Sequence, residues 1–543
     1  MSGLIKPDGT PLVAAETRPR PTARYLRDTT SRVIGSRVAP LTHHRDDVRR
    51  SWSRAAGLAM DLIQNSGRLK GATDQVLADT VGVGLTLTPD PDLSGLGYNE
   101  AETAAWIRLV KKRWRRFWYD ARECDMRGKL TGPQMVDIAL RWHIAYGEAT
   151  GVFDFFSDAE RQRYGIVTGT KLCLVPPSRL VQDTSPLERL FQGVGHDEKG
   201  RPVSYRFETS SQGQKARRDY AARDADGRPL VLHVFDPMDA TDVRGISLLA
   251  PAFRKHIQAE MLDDATLQMA ILQTIFAVTL TSETPSQDAF EALEVLKEST
   301  DGKNGFDGAG YAQQYLDFLG TQFQRAHDST LSVDGNPRVS HLGPGEKLGI
   351  ETAKVPGQDF LPFSNSLARD MARTIGITYG GLTMDHTAAT YSSVRMENAS
   401  VWAVVMRRRE RIATPICQMV YSNWLDEEIG EGRIPFKGGY PAFRARRAAV
   451  TAASWQGPAK PTADDYKSAR ASSERLANGT SSIAIETGDL GQDPDELFEQ
   501  RRREHQRYVE ADMPSPFAPR AAIPDPEAPR SGAGETGEME ATP

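Results

Sequence analysis

Four stretches of the chain carry residue types that could do chemistry. Asp385-His386 stands among Thr383, Thr387 and Thr390, and a carboxylate, an imidazole and hydroxyls are the parts of a hydrolytic cluster. Such a cluster works only when nucleophile and base lie within hydrogen-bond reach and a third group orients them. Adjacency in a polar loop supplies none of that. Lys111-Lys112-Arg113-Trp114-Arg115-Arg116-Phe117-Trp118-Tyr119 interleaves cations with aromatic rings, the composition of a surface where bases stack and phosphates are neutralised. The same spacing describes an amphipathic helix that turns Trp114, Phe117 and Trp118 inward, and this is the favoured reading. Val81-Gly82-Val83-Gly84 offers two glycines of a phosphate loop, without the third glycine or the following helix such a site needs; a buried strand is expected. His143 and Glu148 fall near one predicted helix end, without further ligands for a metal. The chain holds no Walker loop, GxSxG elbow, HExxH or paired CxxC. No metal, cofactor or enzymatic activity is expected.

The composition bounds the rest. With 543 residues the chain is too long for one compact core, so several parts are expected. The 67 Lys+Arg nearly balance 72 Asp+Glu, a formal net charge of -5. Near-balance argues against a protein that coats DNA through bulk positive charge, though not against one that surrounds DNA without gripping it. Cys124, Cys173 and Cys417 are too few and too scattered for a disulfide framework or a cysteine zinc site. The N-terminus lacks an apolar core of signal-peptide length. The apolar run from Met269 to Leu280 is interrupted by Gln273 and Thr274 and is too short for a bilayer. A soluble chain made in a reducing cytoplasm, with no membrane partner, is expected.

The elements that must position these residues follow from periodicity. Residues 1–40 show no period and read as an unordered arm. Helices are predicted over 45–65 (Val48, Trp52, Leu58 and Leu62 inward), 101–119 with Asn99 as cap, and 132–146. Strands are predicted at 81–87, 151–156, 171–175, 203–207 and 230–235. The longest helix, 248–276, carries Leu249, Phe253, Ile257, Met261, Leu267 and Ile271, with Pro251 tolerated in its first turn. It is either a core element or a stave whose apolar edge meets neighbouring copies. Residues 281–356 are polar, with short strands at 339–342 and 347–351. A helix over 359–375 places Phe363, Leu367, Met371 and Ile375 on one stripe and stops at Gly376. Thr414-Pro415 reads as a cap and first-turn proline of a further helix. Residues 431–462 look loop-like, two charged helices follow over 463–478 and to about 509, and 512–543 form an acidic, unordered tail.

Residues 376–412 are the most specific stretch. A glycine-punctuated bend at Gly376 and Tyr379-Gly380-Gly381 leads into a polar loop from Met384 to Thr390. Thr390, Ser392 and Ser393 then offer oxygens to cap a helix. That helix carries Val401, Val405 and Ile412 on one side and Arg407, Arg408, Arg409 and Arg411 at its end. Leu382-Thr383-x-Asp385 followed by Tyr391-Ser392-Ser393-x-Arg395 resembles the hallmark of the lambda-type family of tailed-phage portal proteins. Further motifs agree in order over roughly 40–510: Val175-Pro-Pro-Ser-Arg-Leu180, His233-Val-Phe-Asp236, Val243-Arg244-Gly245, Leu342-x-Pro344-Gly345-Glu346, and Trp455, Lys467 and Glu486-x-Gly488. The chain differs in having Asp385-His386 and Lys460-Pro461, where family members often read aspartate-phenylalanine and aspartate-proline.

The resemblance implies an α+β, elongated subunit that assembles into a ring, typically of twelve copies. On this reading 41–245 is a wing and 246–276 and 358–376 are the two stem helices. Residues 277–357 form a clip, 377–450 the tunnel loop, long helix and wing return, and 451–511 a crown. Thr383, Met384, Asp385, His386, Thr387, Tyr391, Ser392, Ser393 and Arg395 would face DNA in the channel. Arg407, Arg408, Arg409 and Arg411 are expected to pair with acidic residues of neighbouring subunits. The implied partners are double-stranded DNA, terminase, the capsid or scaffold protein and head-completion or tail adaptors, at one vertex of a virion assembled in a bacterial host. Two other readings stay open: a different head-tail adaptor, and a DNA-processing enzyme that uses the 111–119 segment.

Overall fold

Two helices open the described structure. α1 (His44–Asn65) buries Val48, Trp52, Ala55, Ala59 and Leu62 on one stripe, with Leu58 only half-buried. α2 (Gly67–Thr80) was not anticipated, because Gly67 and Gly71 and a polar stretch lower its propensity. It forms because Ser66 caps it through Leu69 N–H and because Leu69, Ala72, Val76 and Leu77 bury against the core. The computed structural model describes residues 41–211, 214–276, 360–387, 389–462 and 464–517. The expected arm 1–40, the clip strands and most of the acidic tail lie outside them.

The strand predicted at 81–87 shrinks to β1 (Thr86–Pro89), because Gly82 and Gly84 adopt positive φ. α3 (Glu100–Tyr119) starts at a full capping box: Asn99 accepts from Glu102 N–H at 2.8 Å, and Glu102 accepts from Asn99 N–H at 2.9 Å. Asn99→Ala is expected to lower stability by about 1 kcal/mol, read as a shift in the urea midpoint. Trp114 is the hub of the inward face. It stacks on Trp118 at 4.9 Å and meets Trp424, Tyr421 and Trp455 edge-on.

α4 (Gly132–Tyr146) ends at Gly147, φ 86°, and leads into β2 (Glu148–Phe155). A Cβ at Gly147 would come within 2.2 Å of the Ile246 main chain, so this crossing requires glycine. β2 is the centre of an antiparallel sheet between β3 (Thr170–Leu174) and β8 (Val231–Phe235), with Gly151 opposite both Leu174 and Leu232. α5 (Asp158–Tyr164) lies in the β2–β3 connection. A second sheet runs β4 (Leu190–Phe191), β5 (Val194–His196), β6 (Pro202–Ser211), β7 (Gln214–Ala221) in order. Of these only β6 was anticipated.

α6 (Phe253–Phe276) begins after a 3-10 turn that holds Pro251, a few residues later than predicted. It pairs with α7 (Phe360–Ile375) through a Lys255–Asp370 ion pair and through His256 Nδ1, 3.2 Å from Met371 Sδ. Within the subunit the apolar stripes of the two helices are covered only near this crossing. Leu249, Met371 and Ile375 are buried, whereas Met261, Leu267, Ile271 and Phe363 are exposed, because no element among the described residues covers the far ends of the pair.

A short helix, α8 (Tyr379–Thr383), precedes α9 (Tyr391–Arg408). A π-turn (Arg409–Ala413) joins α9 directly to α10 (Thr414–Gly430). The expected Thr414 cap does not form; the helix runs through, and the widened turn accommodates Pro415, which has no N–H to donate. The supposed loop 431–462 contains short helices at Gly439–Ala445 and Arg447–Val450 and then β9 (Ala453–Gln456), which pairs antiparallel with β1. α11 (Asp465–Ala477), α12 (Ile483–Asp489) and α13 (Pro494–Glu510) close the chain. α11 and α13 bury no residue; α13 is held to α3 by Lys111–Asp493, Arg115–Glu496 and Arg108–Glu499. Among the described residues no helix is long and apolar enough to cross a membrane.

Candidate functional site

A mostly buried bend at Gly376 and the short α8 lead into an exposed polar loop, described at 384–387 and 389–390, at the foot of a bare helix. Gly376, φ 81°, stops α7 as predicted. Thr378 caps α8 by accepting from Gly381 N–H at 3.0 Å, and Met384, φ 56°, ends it. Asp385 accepts from the Thr387 amide and hydroxyl at 3.0 and 2.7 Å, and these bonds hold its carboxyl below the usual range. Thr383 donates its hydroxyl to Tyr379 O, and His386 lies beside Gly380. The carboxylate is thus committed to Thr387, and no Asp–His–hydroxyl relay exists in the loop. Thr390 accepts from Ser393 N–H at 3.2 Å, and Ser393 Oγ accepts from Thr390 N–H at 2.9 Å, the cap that the sequence predicted. Ser392, Ser393 and Arg395 are exposed, and from Ser392 to Val404 no residue of α9 is buried.

The four arginines at the end of α9 reach four parts of the same chain. Arg408, 8% exposed, donates to Ile375 O at 2.8 Å and so caps the C-terminus of α7. Arg409 donates to Thr80 O and Asp79 O at the end of α2 and to Pro458 O. Cations suit both helix ends. Burial pushes the Arg408 guanidinium down to about 10. Arg407 and Arg411 both reach Asp236, at 2.9 and 2.8 Å. Within the subunit Arg407 and Arg411 thus share Asp236 while staying more than half exposed. Arg408 and Arg409 are buried and donate to main-chain carbonyls.

The basic–aromatic segment does not form a stacking platform. Trp114, Phe117 and Trp118 are buried, Arg113 pairs with Glu428, and Lys111 sits 2.5 Å from Asp493. The carboxylates that meet it come from more than 300 residues downstream, which no local pattern reveals. His143 is buried and bonded to Gly147 O, and burial pushes it down to about 4. Glu148 is taken by Arg244 and His233. Among the described residues no group of His, Cys, Asp and Glu is placed to hold a metal ion. Cys124 and Cys417 are buried, and burial pushes the Cys124 thiol up to about 12 and raises Cys417 as well, which disfavours the thiolate.

Known proteins match this sequence along most of the chain. The sequence profile described as "Phage portal protein, lambda family" matches residues 30–409. The chain is 27% identical over 484 residues to the portal protein of Escherichia phage N15, covering 87% of this chain and 88% of that protein. It is 25% identical over 486 residues to portal protein B of Escherichia phage lambda, covering 87% of each. Among solved structures, one from the virion of a native gene transfer agent particle covers 86% of this chain and 99% of its own, with TM-score 0.35 and 14% identity. Another, from the neck of that particle computed with C12 symmetry, covers 84% and 96%, with the same TM-score and identity. The chain belongs to the lambda family of phage portal proteins.

Proposed function

We propose that copies of this chain form the portal ring at one capsid vertex, a channel through which double-stranded DNA is packaged and later ejected. Twelve copies are the expected number. The observation that carries the ring is the pair α6 and α7, which flank residues 277–359. Met261 and Leu267 on one helix and Leu361 and Phe363 on the other are all more than half exposed. Apolar faces of this kind mark a protein interface, and a neighbouring copy is the cover that a closed ring supplies. In this reading α6 and α7 are the stem and 277–357 the clip that meets terminase and the head-completion or tail proteins. The wing, 41–245 and 377–450, would face the capsid or scaffold protein, and α11–α13 would form the crown.

The loop Thr383–Ser393 would then line the constriction. Its hydroxyls, its single Asp385 carboxylate and the lone Arg395 beyond it suit a lumen through which a duplex must slide. Many lysine and arginine contacts to phosphate would instead hold the DNA in place. The subunit acts as a structural conduit, with ATP hydrolysis supplied by another protein. A DNA-processing role for 111–119 is disfavoured by the burial of Trp114, Phe117 and Trp118 and the pairing of Lys111, Arg113 and Arg115.

Light scattering and negative-stain imaging of the purified protein test this directly. Rings of about a dozen copies with a central hole are expected; a monomer that stays monomeric when mixed with capsid and scaffold proteins would overturn the reading. Phe363→Glu is expected to break up the rings while leaving the thermal midpoint of the subunit within about 2 °C of the parent, since the side chain is exposed within the subunit.

A further inference from the structure

We infer, given the ring proposed above, that neighbouring copies meet α6 to α7 in one fixed register, with Met261 on Phe363 and Arg254 on Asp370. The subunit sets that register itself. Lys255 pairs with Asp370, His256 lies beside Met371, and Ile375 lies by Leu249 and Ala252. The two helices are therefore antiparallel, and each step forward on α6 is level with a step back on α7. Counted from the Lys255–Asp370 and His256–Met371 contacts, Asp370 lies within about 3 Å of the level of Arg254. Phe363 lies within about 3 Å of the level of Met261, with the same offset.

Both pairs stand on outward faces. On α6 the side towards α7 carries Ala252, His256 and Ala259, all buried. Arg254 and Met261 stand about 140–160° round the helix from His256, and both are exposed. On α7 the buried residues are Ala368, Met371, Ala372 and Ile375. Phe363 and Asp370 stand about 130–150° from the middle of that stripe, and each is more than half exposed. Seven residues separate the two on either helix, close to two turns, so each pair forms one short ridge. Each ridge has an apolar end and a charged end, and the charges are opposite. Among the described residues Arg254 has no ion-pair partner, and Asp370 engages Lys255 through Oδ2 alone.

A ring closes when one face of each copy meets a different face of the next. The two ridges supply such faces, on opposite sides of one helix pair. Rotation about the ring axis keeps every residue at its own height. With the helices along that axis, the α6 ridge of one copy therefore meets the α7 ridge of the next in register. Phe363 then covers Met261, and Arg254 reaches the second oxygen of Asp370. A two-fold contact of the α6 ridge with itself would bring Arg254 no carboxylate, so charge complementarity favours the head-to-tail order.

Met261→Cys with Phe363→Cys in the full-length protein tests this, after ring assembly, by mild oxidation and a non-reducing gel. A ladder of linked chains is expected, at least about fivefold more abundant than with either single variant, because the ring fixes the local concentration. Rings without a ladder, a link within one chain, or dimers from Met261→Cys alone would overturn the register while leaving the ring in place. A parent protein that stays monomeric even with capsid and scaffold proteins would overturn ring and register together. Arg254→Glu guards against a double variant that fails to assemble. Half-assembly should then need at least about tenfold more protein, because two carboxylates now face each other. The subunit's own thermal midpoint should hold, since Arg254 is exposed. Assembly equal to that of the parent would overturn the register as well.

Discussion

Arg244→Ala is expected to destabilise the subunit by about 3–5 kcal/mol, the cost of leaving one member of a buried ion pair alone. Arg244 and Glu148 are both fully buried. Arg244 Nε donates to Glu148 Oε1 at 2.8 Å, and its terminal nitrogens reach Leu180 O and Pro177 O. Its guanidinium also lies over the Trp52 ring at 4.3 Å. His233 and Gly245 N–H approach the other carboxylate oxygen. Burial alone would raise the Glu148 carboxyl, but Arg244 and His233 outweigh it and hold the carboxyl below its usual range. Its contribution to stability is thus present above the ordinary glutamate pKa and is lost as pH falls through the lower folded value.

In the alanine variant the sign reverses. With Arg244 gone, burial outweighs what His233 and Gly245 N–H still supply and raises the carboxyl, so the defect deepens as pH rises. Urea midpoints at pH 5 and pH 7 should show a larger loss at pH 7. The pair Glu148→Leu with Arg244→Met should recover most of the loss, because no buried charge remains. A single variant that costs less than about 1 kcal/mol at both pH values would mean that water reaches Glu148.

That junction also shows what was legible in the sequence. Val175–Leu180, His233–Asp236 and Val243–Gly245 each stood out as motifs, and the structure brings all three to the Arg244–Glu148 pair. Nothing in their spacing told that they meet, because contacts across 60 to 100 residues leave no local period. Local signals fared better. The Asn99 cap, the Gly376 stop and the Thr390–Ser393 cap lie within a few residues of their effects. β9 was read as loop because its partner β1 is more than 350 residues away. The apolar stripes of α6 and α7 left open whether they were a core or a stave, because an apolar stripe does not say whether its cover comes from the same chain.

The acidic run at the end of α10 is the other misleading stretch, and it carries the second large effect. Asp426-Glu427-Glu428 looks like a solvated face, yet all three are nearly fully buried. They also sit at the negative end of a helix, where carboxylates are disfavoured. Arginines from distant parts of the chain offset this. Arg228 and Arg447 reach Asp426, Arg161 and Arg433 reach Glu427, and Arg113 and Arg433 reach Glu428. Glu427 also accepts from Gly169 N–H and Thr170 N–H, each at 2.7 Å. Burial raises its carboxyl, and these amides together with Arg433 more than reverse that, so it titrates below the usual 4.5.

A depressed carboxyl stabilises the fold above its unfolded pKa and loses that contribution as pH falls through the folded value. Glu427→Gln is therefore expected to cost about 2–3 kcal/mol at pH 7, the worth of charged hydrogen bonds. The gap to the parent should narrow steadily below pH 4.5, as the parent's own carboxylate is protonated. Chemical denaturation from pH 7 to pH 3 reads both effects, with Glu474→Gln on the exposed α11 surface as a variant expected to follow the parent throughout. Parallel curves for parent and Glu427→Gln would mean that Glu427 titrates alike in the folded and unfolded chain. The arginines would then be neutralising Asp426 and Glu428 alone, and the bond from α10 to the β3 hairpin would owe nothing to its charge.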